Sequence, residues 1–136
     1  NAPHAPPAFN VTALVKKGTA ASPFRLVITF TNDAVLPSVT DPEGIKKDAL
    51  AQAQKVVWRL ASMGGYSDKD LPYALDLENK CIRYSSSGAC QKYATRSAVT
   101  LWATTFLASV KEKTGRAPIL YSYAAFLESS MTRTPE

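Results

Sequence analysis

The sequence predicts an α/β domain in which parallel strands alternate with the helices that cover them. Three apolar runs typical of strands, at 24–30, 71–78 and 118–123, are separated by two segments with helical periodicity, at 45–63 and 95–114. The chain has 136 residues, of which 46% are hydrophobic and 20% are charged. This length fits one domain and is too short for a complete eight-stranded α/β barrel.

The N-terminal part of the chain is predicted to hold a lead, a short helix and the first strand. Residues 1–9 are rich in proline, and we expect them to be a mobile lead. Apolar residues in 10–18 recur at helical spacing and predict a short helix. The β-branched and aromatic run at 24–30 predicts a buried strand, and the turn formers in 33–44 predict a loop after it.

Two long amphipathic helices follow this loop. The first, at 45–63, carries an apolar stripe of Leu50, Ala53, Val56, Val57 and Leu60 before Gly64 and Gly65 end it. The second, at 95–114, carries a stripe of Val99, Trp102, Phe106 and Val110 before Gly115 ends it. Because Trp58 and Trp102 lie on these helices, we expect both to pack in the core.

The remaining segments complete the alternation. Residues 71–78 and 118–123 read as short strands, and 124–131 opens a last helix. Cys81 and Cys90 close a short loop after the second strand. These cysteines either pair in an oxidising compartment or remain as two buried thiols.

Charge and composition exclude several classes of function. The net charge of +5 suits an anionic partner without requiring one. The single histidine, His4, lies in the proline-rich lead, which disfavours a Ser-His-Asp hydrolase. Two cysteines cannot supply a four-ligand structural zinc site. The chain has no stretch of about 20 apolar residues that would span a membrane.

Paired carboxylates follow the second predicted strand. The ends of parallel strands are the usual place for active residues, which directs attention to 31–33, 76–78 and 121–123. Asp76 and Glu78 share one face of their strand, with Cα atoms about 6.6 Å apart. Like charges this close raise one pKa and leave a protonated acid beside a carboxylate, as glycoside hydrolysis requires.

A second Asp-x-Glu triplet serves as an internal comparison. Asp41-Pro42-Glu43 has the same spacing as the strand-end pair, but it lies in the proline-rich loop. We expect this triplet to be a solvated turn without a catalytic role.

Several motifs in order resemble the family 25 glycoside hydrolases, which are muramidases of fungal, bacterial and phage origin. Residues 71–78 resemble the family pattern "LP-x-x-LD-x-E", and 49–54 resemble the "A-x-x-QA" helix before it. Downstream, 102–107, 114–121 and Phe126 resemble the pattern "W…F…V…TG-x-x-P-x-I-Y…F". The resemblance covers about residues 45–127.

The resemblance implies a fold, a reaction and roles for individual residues. It implies part of a TIM-like barrel that hydrolyses the β-1,4 bond between N-acetylmuramic acid and N-acetylglucosamine. Glu78 would be the general acid, and Asp76 would orient the 2-acetamido group or stabilise positive charge as that group attacks the anomeric carbon. An inverting route through water is also open. Tyr121, Tyr123 and Asp33 are assigned to substrate binding.

The implied partner is the glycan of peptidoglycan, with no cofactor, metal, nucleic acid or membrane insertion. The enzyme would act on the bacterial cell wall, either secreted or released from the cytoplasm as a phage endolysin. Residues 1–136 would form a single catalytic domain. Because no "D-x-S-x-x-Q" strand precedes Phe24, we expect a central segment that lacks the first and last strands of the family barrel.

Two other readings stay open at this stage. Asp33, Asp76 and Glu78 could bind a divalent cation for phosphoester hydrolysis. Alternatively, the chain could be a non-catalytic remnant that binds peptidoglycan through the same groove.

Overall fold

The computed structural model describes residues 9–16, 25–62 and 71–133, and it describes the side chains from Asp33 onward within these ranges. Of the predicted lead at 1–9, residues 1–8 lie outside the described residues, whereas Phe9 begins a strand. The predicted helix stop at 64–65 also lies outside the described residues. The elements, in chain order, are β1 (Phe9–Lys16), β2 (Arg25–Asp33), α1 (Pro42–Ser62), β3 (Ala74–Asp76), β4 (Cys81–Tyr84), β5 (Cys90–Tyr93), α2 (Arg96–Thr114), β6 (Ile119–Tyr121) and α3 (Ala124–Ser130).

The main sheet has four strands in the order β1-β2-β3-β6. β2, β3 and β6 are parallel, and helices connect them, so the predicted alternation of parallel strands and helices is confirmed. β1 joins the edge of this sheet antiparallel to β2. Within the described ranges the sheet stays open, and no closed barrel is formed.

The short helix predicted at 10–18 is wrong, because residues 9–16 form strand β1. All eight residues of β1 pair with β2, from Phe9 opposite Asn32 to Lys16 opposite Arg25. An isolated helix of this length is marginal in water, whereas Val11, Thr12 and Val15 favour an extended backbone. Pairing with a long neighbouring strand therefore outweighs the weak helical spacing.

The two long helices pack against each other and cover β3. The predicted stripe of α2 is confirmed, because its four members are completely buried: Val99, Trp102, Phe106 and Val110. Tyr73, Leu75 and Leu77 from the β3 region complete this core. No helix in the described ranges is both long enough and apolar enough to cross a membrane.

The predicted stripe of α1 needs correction. Ala53, Val56 and Leu60 are buried as expected, but Leu50 is 47% exposed. The expectation that Trp58 packs in the core is also wrong, since its side chain is 65% exposed. The face of α1 that meets α2 is centred on Ala49, Ala53 and Val56, which turns Leu50 and Trp58 outward.

Local capping explains where the helices begin and end. The triplet at 41–43 is the start of α1: Asp41 Oδ2 accepts a hydrogen bond from Gly44 N at 2.8 Å, and Pro42 is the first helical residue. Thr95 caps α2 by accepting from Ala98 N at 3.1 Å. Gly115 ends α2 in the left-handed conformation, with φ 73°.

The segment predicted as a loop between Cys81 and Cys90 is instead a two-stranded hairpin. β4 and β5 pair antiparallel and form a separate small sheet. Cys81 and Cys90 form a disulfide that joins the two strands. The structure therefore selects the paired state from the two that the sequence left open. This hairpin begins three residues after Glu78, so it borders the predicted site.

Candidate active site

Strand register brings three of the predicted site residues into one row. Asp33 at the end of β2 is the register partner of Asp76 in β3, and Asp76 is the partner of Tyr121 in β6. Register partners on neighbouring strands point to the same face of a sheet. The row crosses the sheet at the carboxyl ends of all three parallel strands, which is where the sequence predicted the site.

The two faces of β3 differ in the way that the alternation predicted. Tyr73, Leu75 and Leu77 are buried in the core formed with the helices. Asp76 is half-buried and Glu78 is exposed, as expected for side chains on the opposite face of the strand. The acids therefore lie on the side of the sheet away from α1 and α2.

Hydrogen bonds on both sides hold the end of β3 in place. Ala34 N donates to the Asp76 carbonyl at 2.7 Å, and Leu77 N donates to the Tyr121 carbonyl at 3.0 Å. The Ser122 hydroxyl donates to the Leu77 carbonyl at 2.6 Å. The backbone between Asp76 and Glu78 is thus fixed to both neighbouring strands.

The carboxyl group of Asp76 is the strongly perturbed acid of the site. Burial, together with interactions with the neighbouring carboxyl groups of Glu78 and Asp33, raises the pKa of Asp76 from 3.8 to about 7. Its Oδ1 atom is buried without a hydrogen-bond partner among the described residues. Near neutral pH, the carboxyl group of Asp76 therefore holds a proton far more readily than an ordinary aspartate does.

The sequence predicted one raised pKa in the pair without specifying the residue. The structure assigns it to Asp76, because Asp76 is the more buried acid and has carboxyl groups on two sides. Glu78 lies on the exposed end of the pair, where a substrate oxygen can approach it from solvent.

A groove adjoins Glu78 on the side of α3. It has a volume of about 260 Å³, and Glu78, Lys80, Tyr93, Tyr123 and Ser129 are among the residues that line it. The rings of Tyr123 and Phe126 lie 5.8 Å apart, with Phe126 buried beneath. Tyr123 is 49% exposed, and Tyr121 in the neighbouring row is 58% exposed. The exposed rings are thus available for contact with a ligand.

Sequence reasoning missed Lys80 and Tyr93 as members of this groove. They come together because Ala94 N donates to the Lys80 carbonyl at 2.8 Å at the base of the hairpin. No local sequence motif predicts this contact, because it depends on the pairing of β4 with β5.

Tyr73 is a second buried titratable group near the row. Burial raises the pKa of the Tyr73 phenol, and the charge of Asp33 acts in the same direction. The Tyr73 hydroxyl has no hydrogen-bond partner among the described residues. Tyr73 therefore stays neutral and packs against Phe106, with ring centroids 6.0 Å apart.

The geometry gives no support to the metal-dependent alternative. Among the described residues, no group of three or more histidine, cysteine, aspartate or glutamate side chains is arranged to hold a metal ion. Asp33 and Glu78 instead flank Asp76 and contribute, after burial, to the raised pKa of its carboxyl group.

Comparison with known proteins identifies one related family. The family model described as "Glycosyl hydrolases family 25" matches residues 43–135, which is more than half of the chain. No curated protein and no solved structure matches the chain significantly. The matched region begins in the first turn of α1, and it includes β3, the hairpin, α2, β6 and α3.

Proposed function

The chain belongs to glycoside hydrolase family 25, and from this premise we propose that it cleaves the β-1,4 bond between N-acetylmuramic acid and N-acetylglucosamine in peptidoglycan. The observation that carries the proposal is the pair Asp76 and Glu78 at the end of β3, inside the region that the family model matches. One acid of the pair holds a proton near neutral pH, and the other faces solvent. Acid-catalysed cleavage of a glycosidic bond needs such a pair.

Glu78 acts as the general acid in this proposal. It gives a proton to the glycosidic oxygen as the bond from that oxygen to the anomeric carbon breaks. The oxygen of the 2-acetamido group attacks the anomeric carbon and forms a cyclic intermediate with positive charge. Glu78, now ionised, takes a proton from water as the water opens this intermediate, which restores the starting protonation state.

The proton on Asp76 gives the pair a way to protonate Glu78. In the free site, Asp76 is the acid with the raised pKa and holds the proton, and Glu78 is its neighbouring carboxyl group. A bound acetamido N–H donates to Asp76 and so favours its ionised form. The proton then passes to Glu78, which becomes the acid, while ionised Asp76 stabilises the positive charge that develops on the acetamido group.

Asp33, Tyr121 and Tyr123 bind and position the substrate. Asp33 lies beside Asp76 in the row and maintains its high pKa. The exposed ring of Tyr121 lies on the other side of Asp76, where its hydroxyl can donate to a sugar oxygen. Tyr123 supplies an aromatic wall next to Glu78 in the groove.

The place of action follows from the proposed substrate. We propose that the protein acts on the bacterial cell wall, reached by secretion or by release as an endolysin. The Cys81–Cys90 disulfide supports action in an oxidising environment outside the cell. The net charge of +5 supports association with an anionic envelope.

Release of reducing ends from purified peptidoglycan tests the proposal. We expect hydrolysis by the 136-residue chain with chelator present, and a loss of about a hundredfold or more in Glu78→Gln, which removes the acid with little change in shape. Glu112→Gln is the matched control, since Glu112 is an exposed carboxylate on α2 away from the row. Glu112→Gln should keep full activity.

Three outcomes would contradict the proposal. They are activity that chelator abolishes, a Glu78→Gln variant as active as the wild type, and a wild-type chain with no hydrolysis at all. In the last case, glycan binding that survives Glu78→Gln would favour the non-catalytic binding function.

A further inference from the structure

The groove beside Glu78 is lined by a positively charged side chain that the proposed reaction does not use. Lys80 lines this groove two residues after Glu78, together with Tyr93, Tyr123 and Ser129. Resting on the proposed function, we infer that the groove binds the acidic substituent of the muramic sugar, and that Lys80 is the specificity-determining residue for it. The chemistry recognised is a carboxylate, either that of the lactyl ether or those of the peptide attached to it.

Lys80 is held in place by its surroundings. Its carbonyl accepts from Ala94 N at 2.8 Å, and its Nζ atom lies 5.8 Å from the centroid of the Tyr93 ring. The neighbouring Asn79 is fixed as well, because its Oδ1 accepts from Cys81 N and its Nδ2 donates to the Tyr84 hydroxyl, both at 2.8 Å. The backbone on both sides of Lys80 is thus anchored to the disulfide-linked hairpin.

The charge of Lys80 is available to a ligand. In the described part of the chain, Lys80 forms no ion pair with a carboxylate. Its cation–π contact with Tyr93 orients the ammonium group and leaves its charge uncompensated. A carboxylate that enters the groove would meet this ammonium group as its first counter-charge.

The arrangement of the groove suits a muramic residue. Such a residue differs from N-acetylglucosamine by a lactyl ether that ends in a carboxylate or continues into a peptide. Tyr93 and Tyr123 are 58% and 49% exposed and offer aromatic surfaces to the apolar face of a sugar ring. Repulsion by Glu78 and attraction by Lys80 would both orient the carboxylate away from the acid and toward the hairpin.

A binding experiment with three glycans tests this inference. The ligands are a tetrasaccharide of N-acetylglucosamine alone, a tetrasaccharide with alternating muramic residues and no peptide, and the same glycan with its peptides. Titration calorimetry on the Glu78→Gln chain avoids hydrolysis during the measurement. We expect roughly threefold to fivefold tighter binding of an acidic glycan than of the neutral one, the gain of a partly exposed ion pair. Preference for the peptide-free acidic glycan identifies the lactyl carboxylate, whereas preference for the peptide-bearing glycan alone identifies the peptide.

Three further variants in the same background decide the role of Lys80. Lys80→Gln should bind the neutral and acidic glycans equally, and Lys80→Arg should keep the preference. Lys92→Gln is the matched control, because it removes the same charge from β5, one residue before Tyr93, where strand alternation directs its side chain to the other face. It should keep the preference, and raising the salt concentration should weaken the preference wherever it exists.

Two results would overturn the inference. One is a Lys80→Gln variant that still prefers the acidic glycan, and the other is a Glu78→Gln chain, with Lys80 intact, that binds the acidic and neutral glycans equally. Circular dichroism of each variant separates a lost contact from a lost fold. The inference and the proposed function fail separately. Hydrolysis by the wild-type chain without a binding preference contradicts only the inference, and a binding preference without hydrolysis contradicts only the proposed function.

Discussion

Asp33 and Asp76 are direct register partners across the β2–β3 pair, and Asp33 is one of the groups that raise the pKa of Asp76 at the end of the sheet. Two acids in this position hold one proton more readily than either would alone. The row therefore links Asp33, which the sequence analysis offered for substrate binding or for a divalent cation, with the protonation state of the proposed catalytic pair.

Asp33→Asn is predicted to lower the pKa of Asp76. The substitution removes a negative charge next to Asp76, so the alkaline limb of the pH dependence of kcat/KM should move to lower pH. The shift should be partial, because burial and Glu78 contribute more than Asp33 to the raised pKa. The control Glu112→Gln, on α2, should leave the alkaline limb of kcat/KM where it is in the wild type, near pH 7. An unchanged limb in Asp33→Asn would contradict the coupling.

Asp76→Asn is predicted to stabilise the fold at high pH. The pKa of Asp76 is higher in the folded chain than the usual 3.8, so the folded state binds more protons than the unfolded state between about pH 4 and pH 7. Stability is consequently lost as the pH rises through this window. Removing the charge should raise Tm by the order of 5 °C at pH 8 and by much less at pH 4. Scanning calorimetry at both values measures this, and an equal change at both would contradict it.

The parts of the fold that sequence patterns predicted are those with local causes. α2 has its stripe, its Thr95 cap and its Gly115 stop within one segment, so the pattern and the structure agree. The prediction for β1 was wrong because its apolar residues have helical spacing by coincidence. The strand forms through pairing with β2, which is a contact between separate segments of the chain. The hairpin was missed for a similar reason, since strands of four residues carry too little alternation to be recognised.

In the candidate site, too, the sequence predicted the features with local causes and missed those that depend on long-range packing. The two-residue period placed Asp76 and Glu78 on one face, because that period is a property of any strand. Which of the two holds the proton depends on burial and on Asp33, and therefore on the packing of three strands. Lys80 entered the site only through the contact of its carbonyl with Ala94, at the base of a hairpin that the sequence did not indicate.

Trp102 and Trp58 are predicted to differ sharply in their effect on stability. Trp102 is completely buried, stacks on Phe106 with centroids 5.1 Å apart, and donates from Nε1 to Asp48 Oδ2 at 2.8 Å. Trp102→Ala should lower the free energy of unfolding by about 3–5 kcal/mol. Trp58→Ala, on the exposed face of α1, should change it by about 0.5 kcal/mol or less. Urea denaturation of both variants provides the comparison, and similar losses would contradict the placement of α1.

Ser122→Ala is predicted to loosen the end of β3. The Ser122 hydroxyl is the side-chain donor to the Leu77 carbonyl, directly between the two acids. Its loss should cost about 0.5–1.5 kcal/mol of stability and lower kcat, because Glu78 loses part of its positioning. Ser62→Ala removes a comparable hydroxyl bond, to the Arg59 carbonyl at the end of α1, and serves as the control. If both variants had the same kcat, the Ser122 contact would have no role in positioning.

The Cys81–Cys90 disulfide is predicted to stabilise the hairpin and, through it, the groove. Closing a loop of about ten residues stabilises a fold by about 2–3 kcal/mol in the chain-entropy description. Dithiothreitol should therefore lower the Tm of the wild-type chain toward that of a Cys81→Ser/Cys90→Ser variant, which should itself not respond to reductant. Binding of an acidic glycan should weaken in parallel, because the hairpin anchors Lys80 through Ala94. A wild-type Tm that reductant does not change, with the free thiols verified, would show that strand pairing alone holds the hairpin.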